Sequence, residues 1–189
     1  MRLIAVLLLA VSLNAAAEWR SHISAQASFE TDWRVRCDGN CAAFSRFSTP
    51  DDNKFSVSFG TFYTGLPVNL GATLDLLDSG TGATLRARWP LVNRLSLEVG
   101  LGVRGFDVNA DPAAPGEAKG DLSYGVHGSA QIGYGPVFVR YSRLDTDHTM
   151  TYRALVGTNP DGSPIHGAPV RATVDSTFEA WQIGLSYSF

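Results

Sequence analysis

Charge is scarce in this chain, and so is sulfur. Asp, Glu, Lys and Arg make up only 17% of the residues, and Cys and Met occur twice each. The formal net charge of -3 and pI near 5.7 leave no basic footprint for nucleic acid. Beyond the first residues no apolar run approaches the roughly 18 residues of a transmembrane helix. His and Cys never fall at the spacing of a zinc site, because the one cysteine pair, in "RCDGNCAAF", has no histidine nearby to complete four ligands. These shortages exclude a nucleic-acid binder, a helical membrane protein and a structural zinc domain. No residue pattern calls for a cofactor, and none is expected.

What is present begins with the leader "MRLIAVLLLAVSLNAAAEWR". Arg2 gives a short positive start, Leu3 to Leu13 an apolar stretch, and Ala15-Ala16-Ala17 a small-residue cleavage site. The stretch is too short to cross a bilayer, so it predicts a cleaved signal peptide over 1–17 and a mature domain over 18–189. Export makes a local disulfide between Cys37 and Cys41 the expected state. The loop it closes is so small that its entropic effect should be slight.

The rest of the chain alternates apolar and polar residues with a period of two, the signature of strands. Eight such runs are predicted, at roughly 22–36, 54–63, 68–77, 83–91, 95–107, 121–134, 137–146 and 176–189. "TGLP", "VNR" and "GP" are tight turns, whereas most of the other connections are long. Eight strands joined this way form a meander that can close into a barrel and remove its edges. The fold class predicted is all-β, an eight-stranded antiparallel up-and-down transmembrane β-barrel.

The two faces of the runs decide which side meets which solvent. Leu95, Leu97, Val99, Leu101 and Val103 oppose Ser96, Glu98, Gly100, Gly102 and Arg104. The polar face is rich in Gly and Ser, which suits a crowded interior. The apolar face carries aromatics toward the strand ends: Tyr63, Trp89, Tyr134 and Tyr187 near the short turns, and Trp33, Phe55, Tyr124 and Tyr141 near the loops. Two such girdles and strands of about ten residues fit a membrane barrel. A soluble periplasmic carrier, with the faces reversed, is the rival.

"WPLVNRLSLEVGLGVRGFD", "GVHGSAQIGYGPVFVRYSRLD" and the terminal "IGLSYSF" resemble the small eight-stranded outer-membrane proteins, the OmpA-like transmembrane domain and opacity-protein group. The resemblance covers nearly all of the mature chain and rests on pattern more than on fixed residues. It implies residence in the outer membrane of a Gram-negative cell, among outer-membrane lipid and lipopolysaccharide. It also implies that Phe189, with Tyr187 two residues before it, forms a signal read by the outer-membrane assembly machinery.

An eight-stranded barrel has an interior filled by side chains. The predicted inward charges are Glu30, Asp32, Arg34, Arg36, Asp75, Arg86, Arg88, Glu98, Arg104 and Arg140, with Gln26, His127, Gln131 and Gln182 as neutral partners. Counting back from a three-residue "VNR" turn sets Arg88 opposite Glu98, and a two-residue "GP" turn sets Arg140 opposite Gln131. Arg88, Glu98, Arg140, Arg86, Arg104 and Glu30 are therefore expected to form a lumen ion-pair network, because buried charge is tolerated only when paired.

Three motifs invite chemistry. "GLGVRG" matches a dinucleotide fingerprint but opens no helix, so small residues lining a narrow barrel explain it better. His127 and Ser129, in "HGS", match the His-x-Ser spacing of outer-membrane lipid A deacylases. That reading needs both side chains on the lipid side, and their phase puts them in the lumen. His148 and His166 share the last loop with Asp145, Asp147, Asp161 and Asp175, which are read as solvated charge and not as a divalent-ion site. The loop 147–175 holds two alternating runs around "NPDG" and is expected to continue the last two strands as a hairpin that offers an edge to an extracellular partner. The function predicted is a non-enzymatic, monomeric barrel with a plugged lumen, serving envelope integrity or surface interaction. A lipid A-modifying hydrolase and a small channel are the alternatives.

Overall fold

The computed structural model describes residues 18–47, 54–77, 80–106, 110–120 and 123–189. The expected leader, 1–17, lies outside the described residues. Alternating residues with few helix formers give strands throughout: β1 Trp19–Gly39, β2 Phe44–Phe47, β3 Phe55–Tyr63, β4 Asn69–Leu77, β5 Gly80–Pro90, β6 Leu95–Phe106, β7 Ala110–Pro112, β8 Gly116–Gly120, β9 Ser123–Tyr134, β10 Val137–Thr158, β11 Pro164–His166 and β12 Val170–Ser188. The only helical piece among the described residues is a 3-10 turn, Cys41–Ala43.

Eight of these strands close a ring. β1 pairs β3, then β4, β5, β6, β9, β10 and β12 follow, and β12 returns to β1. Every step is antiparallel, so every backbone in the ring has a neighbour on both sides. The short turns fix the register. Leu91 N donates to Leu95 O at 2.8 Å, and Asn93 and Arg94 take left-handed φ of 51° and 73° to make the tight return. Arg88 then stands opposite Glu98. Tyr134 stands opposite Val137 across a two-residue turn with Gly135 at φ 59°, which puts Arg140 opposite Gln131.

From the short turns up to the row of Tyr141 and Trp181, apolar side chains look outward. Leu74, Leu85, Leu101, Val126, Ile132 and Leu185 are all exposed. Their strand neighbours Asp75, Arg86, Glu98, His127 and Gln131 are buried. That is the arrangement of a transmembrane β-barrel. At the lower rim Trp19 meets Tyr63 in a tilted contact (5.3 Å) and Tyr187 stacks on Phe189 (5.9 Å). Tyr141 meets Trp181 at 5.2 Å at the upper rim.

Above that row the polarity of the two sides exchanges. β10 and β12 keep their phase, but most of the inward residues are now apolar: Leu144, Met150, Tyr152, Ala172, Val174, Phe178 and Ala180 pack with Phe44, and Ser142, Thr146, His148 and Ser176 are the polar side chains buried among them. The outward ones are Arg143, Asp145, Asp147, Asp175 and Glu179. An apolar interior with a charged exterior is the arrangement of a water-soluble sheet. β8 joins this upper tier along β10, and β2 pairs β7 beside it. Both β7 and β8 fall within a stretch read from sequence as plain loop. "GEAKG" has little intrinsic strand preference, and its pairing with β10 decides its conformation.

One sequence expectation is overturned here. Glu30, Asp32, Arg34 and Arg36 are exposed on the outer face and do not enter the lumen. A β-bulge lies between Ser28, opposite Gln182, and Glu30, opposite Trp181. The extra residue, Phe29, reverses the phase of β1. Trp33, expected in the outer girdle, therefore turns inward and meets Phe178 at 6.1 Å. The alternation runs unbroken through the bulge because the solvent changes at the same height.

Candidate functional site: a polar lumen beneath a charged outer tier

β4, β5, β6 and β10 each bring arginine or carboxylate side chains into the lumen of the lower tier. Arg86 is the hub. Its Nη2 lies 3.1 Å from Asp75 Oδ1, its Nη1 donates to Glu98 Oε1 at 2.8 Å, and its Nε donates to Thr73 Oγ1 at 2.7 Å. Glu98 also accepts from Arg88 Nε at 2.8 Å and faces Arg140 Nη2 at 3.6 Å. Asp75 accepts from Thr84 Oγ1 at 2.6 Å and faces Arg104 Nη2 at 3.7 Å. Arg140 donates to Gln131 Oε1 through Nε (2.9 Å) and to Gln26 Oε1 through Nη1 (2.5 Å). Gln26 in turn donates to Ser56.

This brings Arg86, Arg88, Glu98, Arg104 and Arg140 into one cluster and leaves Glu30 outside it, for the bulge reason given above. Asp75 is the residue that a site list built on Glu98 omits, although its inward phase is legible in "TLDLL". Phe62 and Phe138 were not anticipated either. Arg88 lies 4.4 Å from the centre of the Phe62 ring and Arg140 lies 4.9 Å from that of Phe138, so each guanidinium rests on an aromatic face. Four arginines share two carboxylates, and carbonyl oxygens of Gln26 and Gln131 meet the remainder. The cluster spans the barrel width with side chains of which Arg140, Glu98 and Asp75 are at most 1% exposed.

His127 and Ser129 point into this lumen. His127 is fully buried, and neither ring nitrogen has a hydrogen-bond partner among the described residues. Among the described residues no carboxylate hydrogen-bonds to it to orient it as a base. Cys37 and Cys41 form a disulfide in the upper tier. His148 is buried inside the upper tier, while Asp147 and Asp175 face outward opposite each other. Among the described residues no group of three or more His, Cys, Asp or Glu converges as a metal site.

The upper tier ends in the hairpin of β10, β11 and β12. At its tip Asn159 N donates to Ser163 O at 2.8 Å, and Gly162 takes φ 86° to close the turn. Ser163 donates to Asp161 Oδ1 through Oγ at 2.7 Å and through N at 2.9 Å. These bonds hold the Asp161 carboxyl below its ordinary value. Leu155, Val156 and Ile165 are exposed on the hairpin.

No family model matches the chain, and no curated protein matches it. Among solved structures it is similar to the outer membrane protein OprG from Pseudomonas aeruginosa. The identity is 12%, the match covers 91% of this chain and 96% of that one, and the TM-score is 0.41. At that distance the likeness carries no assignment, and the barrel rests on its own pairing and register.

Proposed function

We propose that this protein is a non-enzymatic, monomeric outer-membrane barrel whose lumen is closed by its own side chains and whose work is done by the charged tier above the membrane. The observation that carries this reading is the exchange of polarity at the Tyr141–Trp181 row. Below it a greasy wall encloses arginines and carboxylates, and above it a charged wall encloses Leu144, Met150 and Phe178. A wall that changes solvent at one height fits a chain that leaves a bilayer there. In this reading 1–17 is the export signal, and the exposed Tyr187 and Phe189 are offered to the assembly machinery. Lipid and lipopolysaccharide surround the wall, and the 147–175 hairpin meets extracellular partners.

The lumen network and the apolar plug stacked above it favour a stabilising role over conduction. A lipid hydrolase is disfavoured because His127 and Ser129 face away from the lipid. The test is membrane fractionation with heat-modifiability electrophoresis, followed by thiol labelling of Asn159→Cys on intact cells. Sedimentation with outer membranes, a heat-shifted band and surface labelling are expected. A protein released by osmotic shock, or a stable conductance in planar bilayers, overturns the reading.

A further inference from the structure

The outer face of the upper tier carries its arginines in two settings. Near the aromatic row each has a carboxylate beside it. Arg34 pairs with Asp32 at 2.8 Å, Arg36 with Asp38 at 3.9 Å, and Arg143 with Asp145 at 2.9 Å and Glu179 at 3.2 Å. Higher up the pairing stops. β8, β10 and β12 bring Lys119, Thr151 and Arg171 into a single row, since Thr151 is opposite both. Arg153 stands in the row beyond, opposite Glu117. Lys119, Arg153 and Arg171 are exposed, and none forms an ion pair among the described residues. With Glu117, Thr151 and Pro169 they line a recess of about 390 Å3.

Neighbouring strands lie about 4.8 Å apart, so three like charges on three adjacent strands repel one another unless an anion is shared between them. Glu117 cancels one charge, which leaves a surplus of two positive charges in a concave site. A doubly charged phosphate monoester matches that surplus. Two guanidinium forks and an ammonium suit its oxygens, and the Thr151 hydroxyl supplies a further donor.

Height narrows the source. Thr151 is ten residues beyond Tyr141 and Arg171 ten residues before Trp181. At about 3.3 Å per residue and a tilt near 40°, the recess stands roughly 25 Å above the aromatic row. Phosphates at the acyl-chain boundary are out of reach at that level, and surface sugars are within it. We propose that the Lys119–Arg153–Arg171 recess binds a phosphate monoester carried on a surface sugar, as in the phosphorylated core of lipopolysaccharide. The proposal rests on the reading of the upper tier as the cell exterior.

The test uses the full mature protein in detergent micelles, titrated with inorganic pyrophosphate at constant ionic strength and, separately, with lipopolysaccharide before and after removal of its core phosphates. Lys119→Gln combined with Arg171→Gln should weaken both pyrophosphate and native lipopolysaccharide binding about ten-fold or more. Glu117→Gln should strengthen it two- to three-fold or so, by removing the opposing charge. Arg143→Gln, from the paired rows, should leave it unchanged. Pyrophosphate binding no tighter than chloride, or an unaltered affinity in the double variant, overturns the site. Equal binding of native and dephosphorylated lipopolysaccharide, with pyrophosphate binding intact, overturns the glycolipid source and leaves free phosphate as the ligand. Failure of Asn159→Cys to label on intact cells overturns the location alone, since micelle binding does not depend on it.

Discussion

The lower and upper tiers share the strands β1, β10 and β12 and obey opposite rules. β10 shows this within a single element. Arg140 is its buried charge below the aromatic row, beside Phe138; above the row Leu144, Met150 and Tyr152 are buried, with Ser142, Thr146 and His148 between them. The backbone does not change phase between them. What changes is the medium outside, and the interior changes to suit. In hydrocarbon the wall must be apolar, so polar side chains have only the lumen, where they must pair with one another. In water the wall is charged and apolar side chains go inside. Solvent, more than strand geometry, sorts these residues.

The largest effect that sharpens this contrast belongs to the lower tier. Glu98→Ala removes the carboxylate shared by Arg86 and Arg88 and leaves buried cations unbalanced. The expected loss is on the order of 3–5 kcal/mol, read as an earlier urea midpoint for refolded protein in lipid vesicles. Next comes a paired substitution on the outer wall. Leu101→Arg places a cation against hydrocarbon and should cost about 2–4 kcal/mol, whereas Thr173→Arg, outward in the upper tier, should leave the midpoint unchanged. Equal effects would break the proposed difference in medium. Met150→Ala follows, with about 2–3 kcal/mol lost from the apolar interior of the upper tier, where Met150 is fully buried. It should raise protease cutting of the hairpin while the heat-modifiable band of the barrel persists.

The legible part of the fold was the part governed by one solvent. Short turns fixed the register of β5 with β6 and of β9 with β10, so Arg88 and Glu98 were placed from residue counts. The ring followed from alternation and turn length. The bulge at Phe29 left no mark in the sequence. A one-residue phase reversal and a change of solvent fell together, and each hid the other's effect on the pattern of Glu30 to Arg36. β8 was invisible because Gly116 to Gly120 owes its strand to β10 and not to its own preferences. The recess at Lys119 was invisible for the same reason, since Lys119 lies more than thirty residues before Arg153 and Arg171 in sequence and meets them only through that pairing.

The smallest effect lies at the far end of the upper tier, where water screens every interaction. Asp161 accepts two hydrogen bonds from Ser163, and they hold its carboxyl below the ordinary aspartate value. A depressed carboxyl stabilises its surroundings above its unfolded value and loses that contribution as pH falls through the folded one. The turn at Asn159–Ser163 should therefore be fully formed at neutral pH and loosen only under acid conditions, below the ordinary aspartate range. Amide exchange at Ser163, followed by NMR in micelles, reads this directly. Protection should fall on acidification in the wild type, after correction for the intrinsic pH dependence of exchange, and be low at every pH in Asp161→Ala. The lower tier's amides should not respond over the same range, because the hairpin tip makes none of their contacts. A simultaneous loss of protection in both tiers would mean that they unfold as one unit, and the division drawn at the aromatic row would then describe solvent exposure without describing stability.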